Sequence, residues 1–244
     1  MESEKGAALV EPVLGELAEA ARGAFGTALV SVVLFGSAAE DRLRTTSDVN
    51  LMILLERVEQ AALDACREPL RAAHAAIRAE VMILTRAELA AAAQLFPVKY
   101  SDIRARHRVL AGSDPFAQLD IPDRDLRRQT REILMNTALR LRERYVRLSI
   151  RPEQLVPVIA DAAGPLRAAA AALARLEGMK AASPRDALVN LAGEVGVEYA
   201  AAVANLSRAR EAGTLSAGSA GATLLALSRL AALLCERAGR SAPR

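Results

Sequence analysis

Two short stretches hold the residues whose types and spacing could do chemistry. Val32-Val33-Leu34-Phe35-Gly36-Ser37 is followed ten residues later by Ser47-Asp48-Val49-Asn50, which opens an apolar run to Leu55. The first reads as a strand that ends in Gly-Ser and runs into a short helix, a geometry that offers backbone N–H groups and a hydroxyl to an anion. In the second, residues two apart on a strand point the same way, so positions 48 and 50 project together toward whatever that turn holds. Two carboxylates there would make a hard oxygen site for Mg²⁺. Only Asp48 is a carboxylate, and the other position is Asn50.

The pattern of apolar strand, Gly-Ser, a spacer of about ten residues and Asp-x-Asp inside a second apolar strand resembles the nucleotidyltransferase superfamily. That fold is shared by polymerase beta, kanamycin nucleotidyltransferase and the small bacterial MNT proteins. Gly36, Ser37, Asp48 and the spacer fit it without a gap, whereas Asn50 replaces the second Asp. Family members often continue the turn with Ala-Arg-Gly, and Ala39-Glu40-Asp41 stands there instead. The resemblance implies a bacterial, cytoplasmic protein that uses Mg²⁺ with a nucleoside triphosphate, ATP first. It would transfer a nucleoside monophosphate to a hydroxyl on a small molecule or a protein, with Gly36, Ser37 and Ser47 at the phosphates and Asp48 at the metal.

The resemblance also implies a third carboxylate on the strand after the helix that follows Asp-x-Asp. Glu80, in Ala79-Glu80-Val81-Met82-Ile83-Leu84, is the candidate, and Asp102, in the alternating run from Phe96 to Ile103, is the alternative. Thr85-Arg86-Ala87-Glu88 then reads as a capping box that starts a helix. In relatives that modify aminoglycosides the acceptor's general base comes from a helical domain, and Glu132 is the nearest equivalent by position. It reads equally well as a helix-surface charge. His74, among alanines, reads as a packing or surface residue, and His107 as local structure in a basic turn.

Asparagine keeps one oxygen ligand but removes a full negative charge. At about 4 Å and an effective dielectric near 20, one charge against a divalent ion is worth several kcal/mol before desolvation. That is enough to abolish one metal site. It leaves open an Mg²⁺ that arrives already bound to nucleotide, since this ion commonly uses only one or two protein carboxylates plus phosphates.

Composition narrows the class. Of 244 residues 52% are hydrophobic but only 3% aromatic, so the core must be Leu, Val, Ile and Ala. No apolar run reads as long enough to span a membrane, and the start, Met1-Glu2-Ser3-Glu4-Lys5, lacks the basic and apolar parts of a secretion signal. Cys66 and Cys235 stand far apart, with no metal-ligand spacing, and read as free structural thiols. Net charge is only +3, with acidic and basic residues interleaved. Arginines concentrate between 123 and 147, but Asp123, Asp125, Glu132 and Glu143 lie among them as intrahelical partners, and no aromatic platform is interleaved. Nucleic acid is therefore not the expected partner.

The elements that must position the site follow from periodicity. A first helix ends near residues 23–26, and strands are expected at 28–35 and 49–55. A helix over 58–78, a strand at 80–84 and a helix at 86–95 come next, then extended segments at 97–103 and 107–110. This reads as an α+β nucleotidyltransferase-like mixed sheet over residues 1–120, with helices on one side. Residues 121–244 read as an all-α domain resembling a four-helix bundle, with helices from 123 to 148, from 152 to 177 with a kink near Gly164-Pro165, from 183 to 210, and after the loop at 211–221. Its alanine-rich surface could offer a flat face to a second copy. Two functional readings stay open: a transferase, and a disabled relative that binds nucleotide or a protein partner.

Overall fold

The computed structural model describes residues 2–40 and 48–240, with side chains in the first helix described from Val10 onward. The chain divides between Ile121 and Pro122 into two compact units.

In the first unit, helix α1 (Glu2–Phe25) leads into strand β1 (Leu29–Phe35). A five-residue 3-10 turn, Gly36–Glu40, follows, and then β2 (Val49–Leu55), α2 (Gln60–Ala65), α3 (Arg67–Ile77), β3 (Ala79–Thr85), α4 (Arg86–Leu95), α5 (Pro97–Ala105) and β4 (His107–Gly112). The sheet runs β3-β2-β1-β4, with β2 and β3 parallel and both pairings of β1 antiparallel. Strands β1 and β2 are apolar at nearly every position, so both of their faces need cover. Val32, Leu34, Leu51 and Ile53 pack with α1 and α3 residues such as Leu14, Leu17 and Ala73, while Val33, Met52 and Leu54 pack with Leu89, Ala93, Tyr100 and Ile103 of α4 and α5. Helices therefore cover both sides of the sheet, which corrects the one-sided expectation.

Two further differences have local causes. The helix expected over 58–78 breaks at Cys66, because Pro69 in the first turn of α3 has no N–H to bond back to residue 65 and its ring crowds that carbonyl. Residues 97–103 are helical rather than extended. Pro97 occupies the first helical position, and Pro97, Tyr100 and Ser101 form a buried face at three-to-four spacing that mimics alternation when only Val98 and Tyr100 are counted. The α4 cap forms as its sequence dictates: the Thr85 hydroxyl accepts from the Glu88 N–H at 3.3 Å, and the Glu88 carboxylate accepts from the Thr85 N–H at 2.7 Å.

The second unit contains α6 (Asp123–Leu148), α7 (Leu155–Asp161), α8 (Ala163–Leu176), α9 (Pro184–Val195), α10 (Val197–Ala212) and α11 (Ser219–Gly239). Six helices stand where four were expected, because two of the four are interrupted. One break falls at Ala162, next to the residue that Pro165 would clash with in an unbroken helix, and the other at Gly196, whose backbone is extended. The core is aliphatic, with Leu134, Leu141, Ile159, Leu166, Leu173, Leu191, Leu206, Leu227 and Leu234 all buried. Residues 152–176 and 219–239 do reach the length and hydropathy of a membrane span, contrary to the expectation from sequence. Alanine and low charge give the two segments that hydropathy, and 44% and 50% of their most apolar stretches are buried inside the protein. Met135, Leu139, Val146 and Ile150 leave an exposed apolar stripe along α6 and its end. Cys66 and Cys235 are free and buried, and burial pushes the Cys66 thiol up, away from reactivity.

Gly112 closes β4 against β1 at φ +80, and a Cβ there would sit 2.0 Å from the Val30 carbonyl oxygen. Gly112→Ala should lower stability by at least about 2 kcal/mol, read as a drop in the urea midpoint of the first unit's transition. The Thr85 backbone N–H, and then its hydroxyl, hold the Glu88 carboxyl below the usual glutamate range. A folded-state value below the unfolded one gives stability that is present at neutral pH and is lost as pH falls through the folded value. The stability difference between the native chain and Glu88→Gln should therefore hold at neutral pH, begin to shrink as pH falls into the ordinary glutamate range and be lost only below the lowered folded value, measured by thermal melts across pH.

Candidate functional site

One end of the sheet gathers the residues singled out in the sequence. Antiparallel pairing sets Phe35 opposite Asn50, and parallel pairing sets Asn50 opposite Glu80, so the three form one row across the sheet. Residues opposite one another share a face, here the face that carries Met52, Met82 and Leu84 further in. Gly36 follows Phe35 with φ +79, and a Cβ at Gly36 would lie 3.9 Å from the Asn50 Nδ2. Glycine is needed there for the backbone conformation, not for space. The Gly36 N–H donates to the Arg106 carbonyl at 3.2 Å, so it is not free for an anion as the sequence pattern suggests. Ser47 lies outside the described residues.

Asp48 is engaged by a guanidinium, and an imidazole stands near Glu80. The parallel register that pairs Val49 with Ala79 also brings Arg78 beside Asp48. The guanidinium grips one carboxylate oxygen, with Nε at 2.8 Å and Nη2 at 2.7 Å from the Asp48 Oδ1. The Asn50 Nδ2 donates to the Asp48 backbone carbonyl at 3.4 Å. The His74 Nδ1 lies 3.5 Å from the Glu80 Oε1 and 3.1 Å from the Ala79 carbonyl oxygen. Asp102 sits on a helix, not on a strand, because its segment is α5. There it accepts from the Arg106 Nε at 2.9 Å, and the Arg106 Nη1 reaches Glu40 at 3.0 Å.

This donor set does not fit a resident divalent ion. Among the described residues no three His, Cys, Asp or Glu side chains gather as a metal site would need. The one carboxylate of the Asp-x-Asn pair already carries a guanidinium, and its partner position is a neutral amide. Glu132 is exposed on α6 in the second unit, 3.9 Å from Arg128, and forms part of the intrahelical pairing expected of that face. The His107 Nε2 faces Asp114 at 3.2 Å, and its ring packs edge-on against Phe116.

Three site-shaping residues escaped the sequence reading. Arg78 gave no signal, since a left-handed residue at a helix end is ordinarily Gly or Asn. Arg106 and Asp102 stand at i, i+4 spacing, a signal visible once the segment is read as helix. Glu40, one of the departures from Ala-Arg-Gly, turns out to anchor the turn through Arg106. Side-chain exposures of 18% for Arg106, 21% for Glu40 and 28% for Asp102 make this a substantially buried triad. Burial opposes the Arg106 charge, but Asp102 and then Glu40 outweigh it, and the guanidinium is held above its ordinary range. Arg106→Met would strand two half-buried carboxylates beneath the Gly36–Glu40 turn. It should cost about 1–3 kcal/mol, read by chemical unfolding.

No family model and no curated protein sequence matches the chain. Among solved structures it is similar to spectinomycin adenyltransferase AAD(9) from Enterococcus faecialis, determined with ATP and spectinomycin, at a TM-score of 0.59 and 13% identity. The match covers 94% of this chain and 99% of that one. At that identity the likeness is one of fold: a mixed four-stranded sheet with helices, followed by a helical region, in the arrangement of an AAD nucleotidyltransferase.

Proposed function

We propose that this chain binds a nucleoside triphosphate, ATP first, at the Gly36–Ser37 end of the sheet, and that its capacity for nucleotidyl transfer is weakened. The reaction this fold would carry is attack of an acceptor hydroxyl oxygen on the α-phosphorus. A new P–O bond forms as the bond to pyrophosphate breaks, and a base takes the hydroxyl proton. The acceptor is a small molecule or a protein, and a neighbour of the same fold bound to ATP and a small molecule supports the first.

One observation carries the weakened reading: Asn50 stands in the row where a second carboxylate belongs, and the only carboxylate of that pair is held by Arg78. Magnesium, expected from the resemblance, is then left with the nucleotide's own phosphates as its main ligands. The active reading has one observation in its favour. The Arg78–Asp48 pair is well exposed, 61% and 46% by side chain, and exposed pairs of this kind contribute at most about 1 kcal/mol, so Asp48 can be released.

Pyrophosphate release with ATP, measured on the native chain and on Asn50→Asp, separates the two. Native turnover should sit near background, and Asn50→Asp should raise it at least about tenfold. Native turnover in the ordinary enzyme range, above about 1 s⁻¹, would sink the weakened reading and leave the transferase.

A further inference from the structure

We propose that the protein's own cations, Arg78 first, do the work of a divalent ion at this site, so that the chain binds nucleoside polyphosphate without Mg²⁺. The inference rests on the nucleotide-binding reading above and concerns how the phosphates are neutralised.

Two carboxylates on one strand face repel a polyphosphate unless a metal bridges them. Here that repulsion is removed twice, by the neutral amide of Asn50 and by the guanidinium on Asp48. The same pattern repeats beside the turn, with the Arg106 guanidinium between Asp102 and Glu40. An incoming Mg²⁺ would have to displace Arg78 from Asp48, whereas an incoming phosphate would be met by it. Guanidinium presents a planar fork that matches phosphate oxygens bidentately.

The placement of Arg78 is built into the backbone. It is the one described non-glycine residue with positive φ, at φ 53 and ψ 42. That conformation is costly for a residue with a side chain and persists where the surroundings fix it. They do so here on both sides of the residue: the Arg78 N–H donates to the His74 carbonyl at 2.9 Å, and the Arg78 carbonyl accepts from the Val49 N–H at 3.2 Å. The left-handed turn ends α3 and starts β3 in register with β2, which is what delivers the side chain to Asp48. A second cation stands on the same face. The Lys99 ammonium points at the Met82 sulfur at 3.5 Å, a weak acceptor that leaves its charge available, and Met82 lies two residues along β3 from Glu80.

Calorimetry with ATP on the full chain, in EDTA and in excess Mg²⁺, tests the inference. The proteins are the native chain, Arg78→Gly and Arg78→Lys. Glycine suits the left-handed position, so Arg78→Gly should melt no lower than native and isolates the loss of the guanidinium. The native chain should bind ATP in EDTA within about twofold of its affinity in Mg²⁺. Arg78→Gly should lose about tenfold or more in EDTA and recover in Mg²⁺, with Arg78→Lys in between. Native binding that requires Mg²⁺, or an Arg78→Gly that binds as well as native in EDTA, would overturn the inference and leave the nucleotide reading standing. Absence of ATP binding by the native chain under both conditions would overturn the nucleotide reading itself, and this inference with it.

Discussion

The parallel register between β2 and β3 is the constraint on which the rest of the site depends. Pairing Val49 with Ala79 fixes Asn50 opposite Glu80 and brings Arg78 beside Asp48. A shift of one residue would send every side chain of one strand to the other face, and both faces of β2 are buried, so the register cannot drift. The charges at the end of the sheet are thus set by core packing some distance away. The apolar runs of β1 and β2, covered by helices on both sides, are what hold Asp48 and Arg78 against each other.

Seen electrostatically, the site is closer to neutral than an Asp-x-Asp site would be. Asn50 removes one charge, Arg78 faces that of Asp48, and Arg106 takes up Asp102 and Glu40 at the turn. The two departures beside the Gly-Ser turn are then connected. Glu40 is matched by Arg106, a half-buried arginine at the C-terminal end of α5. That arginine also accepts the Gly36 N–H through its carbonyl, so one residue positions the turn by both backbone and side chain.

Much of this was legible in the sequence, and what was not has physical reasons. Strands β1, β2 and β3 and the capping box at Thr85 follow from local patterns whose cause is local. Helix α5 resembles a strand in sequence because a short buried helix and a half-buried strand share the same apolar residues, and only Pro97 at its first position marks the difference. The breaks at Cys66 and Gly196 depend on one residue each in long alanine-rich stretches. Arg78 could not be found at all, because its role depends on a left-handed backbone and a partner 30 residues away. Sequence marks where a carboxylate is missing but not which side chain neutralises the one that remains.

The most direct measurement is electron paramagnetic resonance of Mn²⁺ titrated into the native chain without nucleotide, beside the double variant Asn50→Asp, Arg78→Gly. If protein cations hold this site, the native chain leaves Mn²⁺ free up to millimolar concentration, and the double variant captures it. Tight, stoichiometric Mn²⁺ binding by the native chain, lost on Asp48→Asn, would contradict it.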